Sequence, residues 1–313
     1  MKLIDLAPSV TDFAADAAVS LAQIPPKLHS KHLYDEVGSQ LFDAITRVEE
    51  YYLTRVEQLI FTTRMAELAR VVGPNVRVVE FGAGLGDKTH RLLSGLDDPR
   101  EVVLIDISKA ALLSGATAIE TAFPHVTVTA ICADYDEAIT LEPHDDRSVV
   151  FFPGSTLGNF TNEEAVVFLR RQRALVGPGG GLILGADLIK DPEVLIAAYD
   201  DEAGVTRDFN VNLLQRLADA GGRVLPHHFR HEARWVAEQS RIEMHLVAEQ
   251  ATAISVLETS VSFKRGDSIQ TESCHKYTPE ALTELLAESG WSTAQIWMDD
   301  ERRFAVVWAT ATL

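Results

Sequence analysis

The sequence predicts an α/β fold: a doubly wound, Rossmann-like parallel sheet, with a second, smaller α+β domain. Three observations carry this. Five short apolar runs between residues 77 and 186 lack polar alternation, stretches of helical spacing separate them, and the flanking regions follow a different pattern. Runs without alternation are strands buried on both faces, and helices between them make the strands parallel. Right-handed crossovers then place helices on both sides of the sheet.

Taken in order, residues 1–55 open with a helical start, break at Pro25–Pro26 and continue through KHLYDEVGSQLFDAI at helical spacing. The strands follow as VRVVEF, EVVLID, VTVTAIC, SVVFFP and GLILGA, with helices expected over 87–95, 109–123 and 162–175. GPGGG at 177–181 reads as a turn into the fifth strand. Beyond it, PEVLIAAYDDEAGV and FNVNLLQRLADAGG are helical, the second closed by Gly221–Gly222. ARWVAEQSRIEMHLVAEQ, TAISVLETSVSF and IQTESCHKY read as longer strands of a separate sheet, because Trp235, Arg241, Glu243 and His245 alternate with apolar neighbours. QIWMDD and RFAVVWATATL form a hairpin returning to the first sheet. The expected division is 56–189 plus 276–313 for a cofactor-binding domain and 1–55 plus 190–275 for a substrate domain. Clefts where such domains meet, and the carboxyl ends of parallel strands, are where small ligands bind.

Of 313 residues, 28 are Lys or Arg and 46 are Asp or Glu, a formal charge of −18. Such a surface repels phosphate backbones and anionic lipids, arguing against nucleic-acid and membrane partners, and tolerates a cationic ligand. Cys132 and Cys274 are the only cysteines. They exclude a disulfide framework or a four-cysteine zinc site and suit a reducing cytoplasm. No apolar run approaches the ~18 residues of a membrane span. Asp5 and Asp12 interrupt what a secretory signal would need as its apolar core.

The first strand ends in Glu80-Phe-Gly82-Ala-Gly84-Leu-Gly86, where glycines let the backbone turn sharply and approach a ligand. A dinucleotide fingerprint would want glycine at position 87, where Asp87 stands. The pattern points to a nucleoside ligand without phosphates. Asp106 closes the second strand, where a carboxylate can accept both ribose hydroxyls or cap the next helix. Asp134-Tyr135 closes the third, where the acid suits an adenine amine and the ring can stack; a cap is again the plain reading.

The glycine motif resembles the first motif of class I S-adenosylmethionine-dependent methyltransferases. Six collinear blocks sharpen this: YDEVGSQLFDAITRVEEYYLTR, VEFGAGLGDKTHRLL, GSTLGNFTNEEA, GADLIKDPEVLIAAYDDEAGVTRDFNVNLL, RIEMHL and TESCHKY. Together they resemble the histidine Nα-methyltransferases of ergothioneine biosynthesis, from about residue 25 onward. The resemblance implies S-adenosyl-L-methionine as cofactor, held by Tyr34, Gly82, Gly84, Lys88, Asp106, Asp134 and Tyr135, with Ser155 and Thr156 nearby. It implies Tyr51, Gly154, Asn159, Tyr199, Met244 and Glu272 around an amino-acid substrate. Asn159 and Tyr199 would hold its amino and carboxylate ends, and Glu272 with Tyr51 would face the imidazole. Tyr34, Tyr51 and Asn159 would stand at the reacting amine. Where the family has T-E-x-S, this chain has Thr271-Glu272-Ser273-Cys274, so a thiol, a weaker donor and acceptor, takes the serine position.

The implied reaction is trimethylation of the α-amine of L-histidine to hercynine. Methylation of another free amino acid, such as tryptophan or a derivative, and a non-catalytic binding module are the alternatives. No metal is expected: His227, His228 and His231 read as a solvated loop. Cys274 and His275 face opposite ways on a strand and cannot pair. Tyr52 reads as core, and Asp200–Asp201 as a solvated helix face. No obligate protein partner is expected.

Overall fold

The computed structural model describes residues 1–6, 13–135, 139–142 and 144–312. Residues 7–12, with Asp12, lie outside them. The chain opens with β1 (Lys2–Asp5), α1 (Phe13–Leu21), α2 (Glu36–Ile45) and α3 (Tyr52–Val72). There follow β2 (Arg77–Phe81), α4 (Asp87–Gly95), β3 (Glu101–Asp106), α5 (Lys109–Ala122), β4 (Thr127–Cys132), β5 (Ser148–Phe152), α6 (Asn162–Val176) and β6 (Gly181–Asp187). Next come α7 (Pro192–Tyr199), α8 (Val205–Asp219), β7 (Phe229–Val236), β8 (Arg241–Ala248), β9 (Thr252–Val256), β10 (Thr259–Phe263) and β11 (Ser268–His275). The last elements are α9 (Pro279–Glu288), β12 (Trp291–Met298) and β13 (Phe304–Ala311). Among the described residues no helix is long and apolar enough to cross a membrane.

Two compact units result: Met1–Pro8, Arg55–Ile189 and Tyr277–Leu313 make the first, Ser9–Thr54 and Lys190–Lys276 the second. The first unit is built on an eight-stranded sheet in the order β1-β4-β3-β2-β5-β6-β13-β12. Its strands are parallel except β13, which runs antiparallel to both β6 and β12. β2 and β5 are buried at every position, as strands covered by helices on both faces are. Arg77, at the start of β2, stays buried because its guanidinium donates to Ser148 Oγ (3.0 Å) and the Glu142 carbonyl (2.8 Å). On one face Phe81, Phe152 and Phe168 pack with Leu157 and Trp291.

β1 corrects the expectation that residues 1–55 belong whole to the smaller domain. Lys2–Asp5 pairs parallel with β4 at the sheet edge, Asp5 opposite Cys132. Four mostly exposed residues carry no burial pattern to read. Lys276 also changes sides, belonging to the second unit.

The second unit holds a three-stranded antiparallel sheet, β11-β8-β7, and a separate hairpin of β9 and β10. The single sheet expected from the sequence is therefore two. Ala237–Gln239 forms a 3₁₀ turn and Ser240 adopts a left-handed conformation between β7 and β8. Of the helices, α2 packs on α8, and α7 and α8 pack on β7 and β8. On one face of the three-stranded sheet Arg241 and His245 both donate to Glu243, the latter at 2.8 Å. His245, chiefly, holds the Glu243 carboxyl down to about 2.

Candidate active site

In the first unit the site is assembled at strand ends. β2 delivers Glu80, then turns out through Gly82, Gly84 and Gly86 at φ of 72°, 51° and 78°. Glycine alone takes such angles without strain. A Cβ at Gly84 would meet nothing within 4 Å, and one at Gly82 only the Tyr135 ring at 3.9 Å. The loop backbone thus borders open space with an aromatic edge beside it. From α5, Gly115 lets the loop lie close, since a Cβ there would fall 2.7 Å from the Leu85 carbonyl carbon.

Asp106 at the end of β3 accepts from Gly84 N–H through one oxygen and from Ser108 N–H through the other, each at 2.8 Å. Asp106 thus braces the glycine loop through Gly84 and the turn into α5 through Ser108, which itself holds the N-cap position of that helix. Burial raises its carboxyl above the ordinary value, and the donated N–H bonds oppose the rise. Each oxygen still has lone-pair capacity for a diol. Glu80 is fully buried, with Oε2 lacking a hydrogen-bond partner. Desolvation pushes it well above the usual carboxylate range, with Lys88 pulling back and Asp106, Glu57 and Asp87 adding to the rise.

Lys88, in the first turn of α4, is ion-paired to Glu57 of α3 at 2.8 Å. The other oxygen of Glu57 accepts from Gly154 N–H (2.7 Å). Gly154 takes φ 82°, where a side chain would be strained, and a Cβ there would come 2.6 Å from Lys88 Nζ. After Gly154, Ser155 takes φ 61°, a strained value for a side-chain-bearing residue, and its buried hydroxyl accepts from Asp187 N–H at 3.0 Å. A 3₁₀ turn, Thr156–Asn159, then leaves Asn159 half-buried. Tyr135 sits edge-on to Phe152, Phe160 and Phe168 at 6.2–6.4 Å, with Asp134 before it.

These residues fit S-adenosylmethionine. An open glycine loop, an acid at the second strand end and an unpartnered buried carboxyl suit the hydroxyls and amine of an adenosyl group.

In the second unit the site is assembled on a sheet face. β11 carries a bulge between Gln270 and Glu272, so Gln270 opposes His245 but Glu272 opposes Met244. The extra residue, Thr271, binds the Met244 carbonyl through its hydroxyl (3.1 Å). The bulge re-aims the strand, and Glu272 and Cys274 come to share the face of Met244 and Ile242. Desolvation raises the Glu272 carboxyl to about 7, against the pull of the Lys276 ammonium. Ser273, facing away, accepts from Gln270 Nε2 at 2.7 Å.

Tyr199, at the end of α7, is buried. Its phenol oxygen accepts from Lys276 Nζ at 2.8 Å. Its carbonyl accepts from His231 Nε2 (2.7 Å), which makes Nδ1 the acceptor of Asn210 Nδ2 at 2.8 Å. Burial lowers the pKa of His231. The Tyr51 ring lies 6.2 Å from that of Tyr199 and 6.3 Å from Phe42. Tyr34 meets Phe42 and Phe209 edge-on at 5.4 and 5.5 Å.

The candidates thus gather in two groups. Gly82, Gly84, Lys88, Asp106, Asp134, Tyr135, Gly154, Ser155 and Asn159 belong to the first unit. Tyr51, Tyr199, Met244, Glu272 and Cys274 belong to the second, and so does Tyr34, unlike the other cofactor candidates. Two plain readings are corrected, and a third, Tyr52 as core, holds. Asp201 is buried and caps α8, accepting from Val205 and Thr206 N–H at 2.9 and 2.8 Å, rather than facing solvent. His231 is a buried strand residue, not part of a solvated loop. Tyr52, read as core, is buried but also accepts from Lys190 Nζ through its phenol at 2.6 Å. Among the described residues no group of three or more His, Cys, Asp or Glu is placed to hold a metal ion. Glu57 and Lys276 were not anticipated. Lys276 follows Glu272 and Cys274 at strand alternation, a signal that was there to use.

A seven-strand core of this order, its antiparallel β13, the glycine loop after β2 and the acid after β3 define a class I S-adenosylmethionine-dependent methyltransferase. Residues 13–311 match the model of the family described as histidine-specific methyltransferase, SAM-dependent. The chain belongs to that family. It is 37% identical over 297 residues to the histidine N-alpha-methyltransferase of Mycolicibacterium smegmatis, covering 93% of this chain and 92% of that one. The protein of the same name from Mycobacterium tuberculosis is 38% identical over 299 residues, with the same coverage of 93% and 92%. An O-methyltransferase of neocarzinostatin biosynthesis, solved with S-adenosylmethionine, shares the fold at a TM-score of 0.50 and 13% identity, covering 88% of this chain and 58% of that one.

Proposed function

We propose that this chain transfers methyl groups from S-adenosylmethionine to the α-amine of free L-histidine, three times in succession, giving the betaine hercynine. The observation that carries the reading is the Glu272–Met244 pair on the second unit's sheet face, brought opposite by the bulge at Thr271. A carboxylate there accepts an imidazole N–H, and the thioether offers an apolar, polarisable wall for the ring. Family membership and the names of the two mycobacterial relatives support the same substrate.

The cofactor, when bound, supplies an electrophilic methyl on a sulfonium. Gly82, Gly84, Asp106, Asp134, Tyr135 and Ser155 hold its adenosyl part, with Lys88 and Glu57 fixing the loop at Gly154. Glu80, its carboxyl pKa raised by burial, offers its unpartnered oxygen as a hydrogen-bonding group. Asn159 and Tyr199 orient the amino and carboxylate ends, and Tyr34 and Tyr51 line the amine with aromatic faces. Aromatic faces attract the ammonium that forms as methyl groups accumulate. No covalent enzyme intermediate is required, so rate comes mainly from aligning amine and methyl. Both cysteines are buried and neither is in a disulfide, which suits a reducing compartment, and we place the protein in the cytoplasm.

The test is cofactor turnover with each free amino acid in turn, products weighed by mass spectrometry. Trimethylated histidine is the expected product. Preference for tryptophan or a derivative would move the substrate while keeping the reaction. Cofactor binding with no turnover on any amino acid would reduce the chain to a binding module.

A further inference from the structure

Lys276 is one of the most deeply buried cations of the molecule, 2% exposed. A lysine is almost never so enclosed unless its charge is paired. Its ammonium donates to Tyr199 Oη at 2.8 Å and to Cys274 Sγ at 3.3 Å, and lies 4.6 Å from the centroid of the Tyr199 ring. It also follows Glu272 and Cys274 on the same strand alternation. One ammonium therefore touches the residue assigned to the carboxylate end of the amino acid and the residue beside its ring.

We propose that Lys276 is a positioning and specificity residue that makes this site require a free α-carboxylate on its substrate. The inference rests on the amino-acid reading given above. An ammonium has three donors and no acceptor, so the bond to Tyr199 runs from nitrogen to phenol oxygen. That fixes the phenol as an acceptor toward Lys276 and turns its own O–H toward another acceptor. A hydrogen bond received at the oxygen also strengthens the one that its hydrogen makes. The substrate carboxylate is the acceptor that fits this aim. Charge points the same way. A carboxylate brought near Glu272 meets a like charge once Glu272 ionises, and Lys276 offsets it. An amide or ester in place of the carboxylate gains nothing from the ammonium and receives a phenol hydrogen it accepts less well.

The experiment compares L-histidine with L-histidinamide by steady-state kinetics in the wild type, Lys276→Met, Lys276→Arg and Tyr199→Phe, with cofactor affinity by calorimetry. Wild type should favour histidine. In Lys276→Met the histidine KM should rise by about tenfold or more, the effect of losing a charge-assisted contact, with kcat changed far less and histidinamide efficiency near wild type. Tyr199→Phe should collapse the same ratio, and the double variant should add little to either change, because the two residues act in series. Lys276→Arg should recover part of the preference. Equal losses on both substrates, with cofactor binding intact, would make Lys276 structural only and overturn the proposal. If Lys276→Met does not fold, Tyr199→Phe decides: an unchanged ratio there overturns it too. A wild type that ignores histidine defeats the substrate reading rather than this one. The acid and amide of whichever amino acid it does methylate then test Lys276 in the same way.

Discussion

In the first unit the groups turned toward a ligand are largely backbone, exposed where Gly82, Gly84 and Gly154 leave their strands at positive φ, with Asp106 and Glu57 bracing that backbone from behind. In the second unit they are side chains: Met244, Glu272 and Cys274 on one face of a sheet, with Lys276 just beyond the strand end joining Cys274 to Tyr199. The first arrangement suits a cofactor common to many enzymes, since glycine turns and strand-end acids recur wherever a nucleoside is bound. The second suits discrimination among amino acids, because side-chain donors and acceptors reject what they cannot pair.

That contrast can be broken by substitution. Glu57→Ala takes away the partner of both Lys88 and Gly154 N–H, in a site where Glu57 is 1% exposed. A loss of about 3 kcal/mol is expected for unpairing such a group. Thermal unfolding should show it, together with weakened cofactor binding; a wild-type Tm would mean that the loop holds itself.

Asp106→Ala should weaken S-adenosylmethionine binding by about 2 kcal/mol or more, roughly thirtyfold, by removing the brace on Gly84 and the acceptor for a diol. Calorimetry at wild-type affinity would take Asp106 out of the site. Histidine-side kinetics at saturating cofactor should be little altered, which is where the contrast between the units is sharpened.

Glu272→Ala should do the reverse. Preference for histidine over amino acids lacking a ring N–H should fall about tenfold or more while cofactor affinity holds. An unchanged preference would mean that the ring is read elsewhere.

The same residue gives a pH signature. Its folded carboxyl titrates near 7, raised chiefly by desolvation, so between its ordinary value of 4.5 and about 7 the folded chain binds more protons than the unfolded one. Stability contributed by the neutral acid is full at low pH and lost as pH rises through that window. Glu272→Gln, which cannot ionise, should therefore gain stability over wild type at pH 8 and little at pH 5. The gain should be about 1 kcal/mol, since Glu272 is only partly enclosed and water screens part of the effect. Melting curves at the two pH values that moved in parallel would contradict the assignment.

Cys274→Ser is expected to have the smallest effect. A hydroxyl in place of Sγ accepts the Lys276 ammonium more strongly and offers the ring a better partner, worth about 1 kcal/mol at most. Histidine KM should fall by up to roughly fivefold with kcat little changed. A raised KM would show that position 274 needs a small apolar filler.

How much of this was legible differs by unit. VRVVEF, EVVLID, SVVFFP and GLILGA could be read as buried parallel strands because they are rich in β-branched and apolar residues without regular polar alternation, and the glycines and Asp106 stand next to strands so identified. Lys2–Asp5 could not, being four residues at an edge with one face in water. Asp201 and His231 misled for a common reason: a charged or polar side chain reads as solvated until the backbone or side-chain groups that the fold brings to it are known.

The sequence by itself determined the parallel sheet, the glycine loop, the strand-end acids and, through its six blocks, the family, because these are local patterns of periodicity, turn chemistry and spacing. The tertiary structure alone decided which side chains share a surface. A single extra residue at Thr271 shifts the register of β11 on β8 and thereby sets Glu272 opposite Met244. The pairing of two strands belongs to neither strand's sequence, and one step of slip exchanges the faces of everything beyond it.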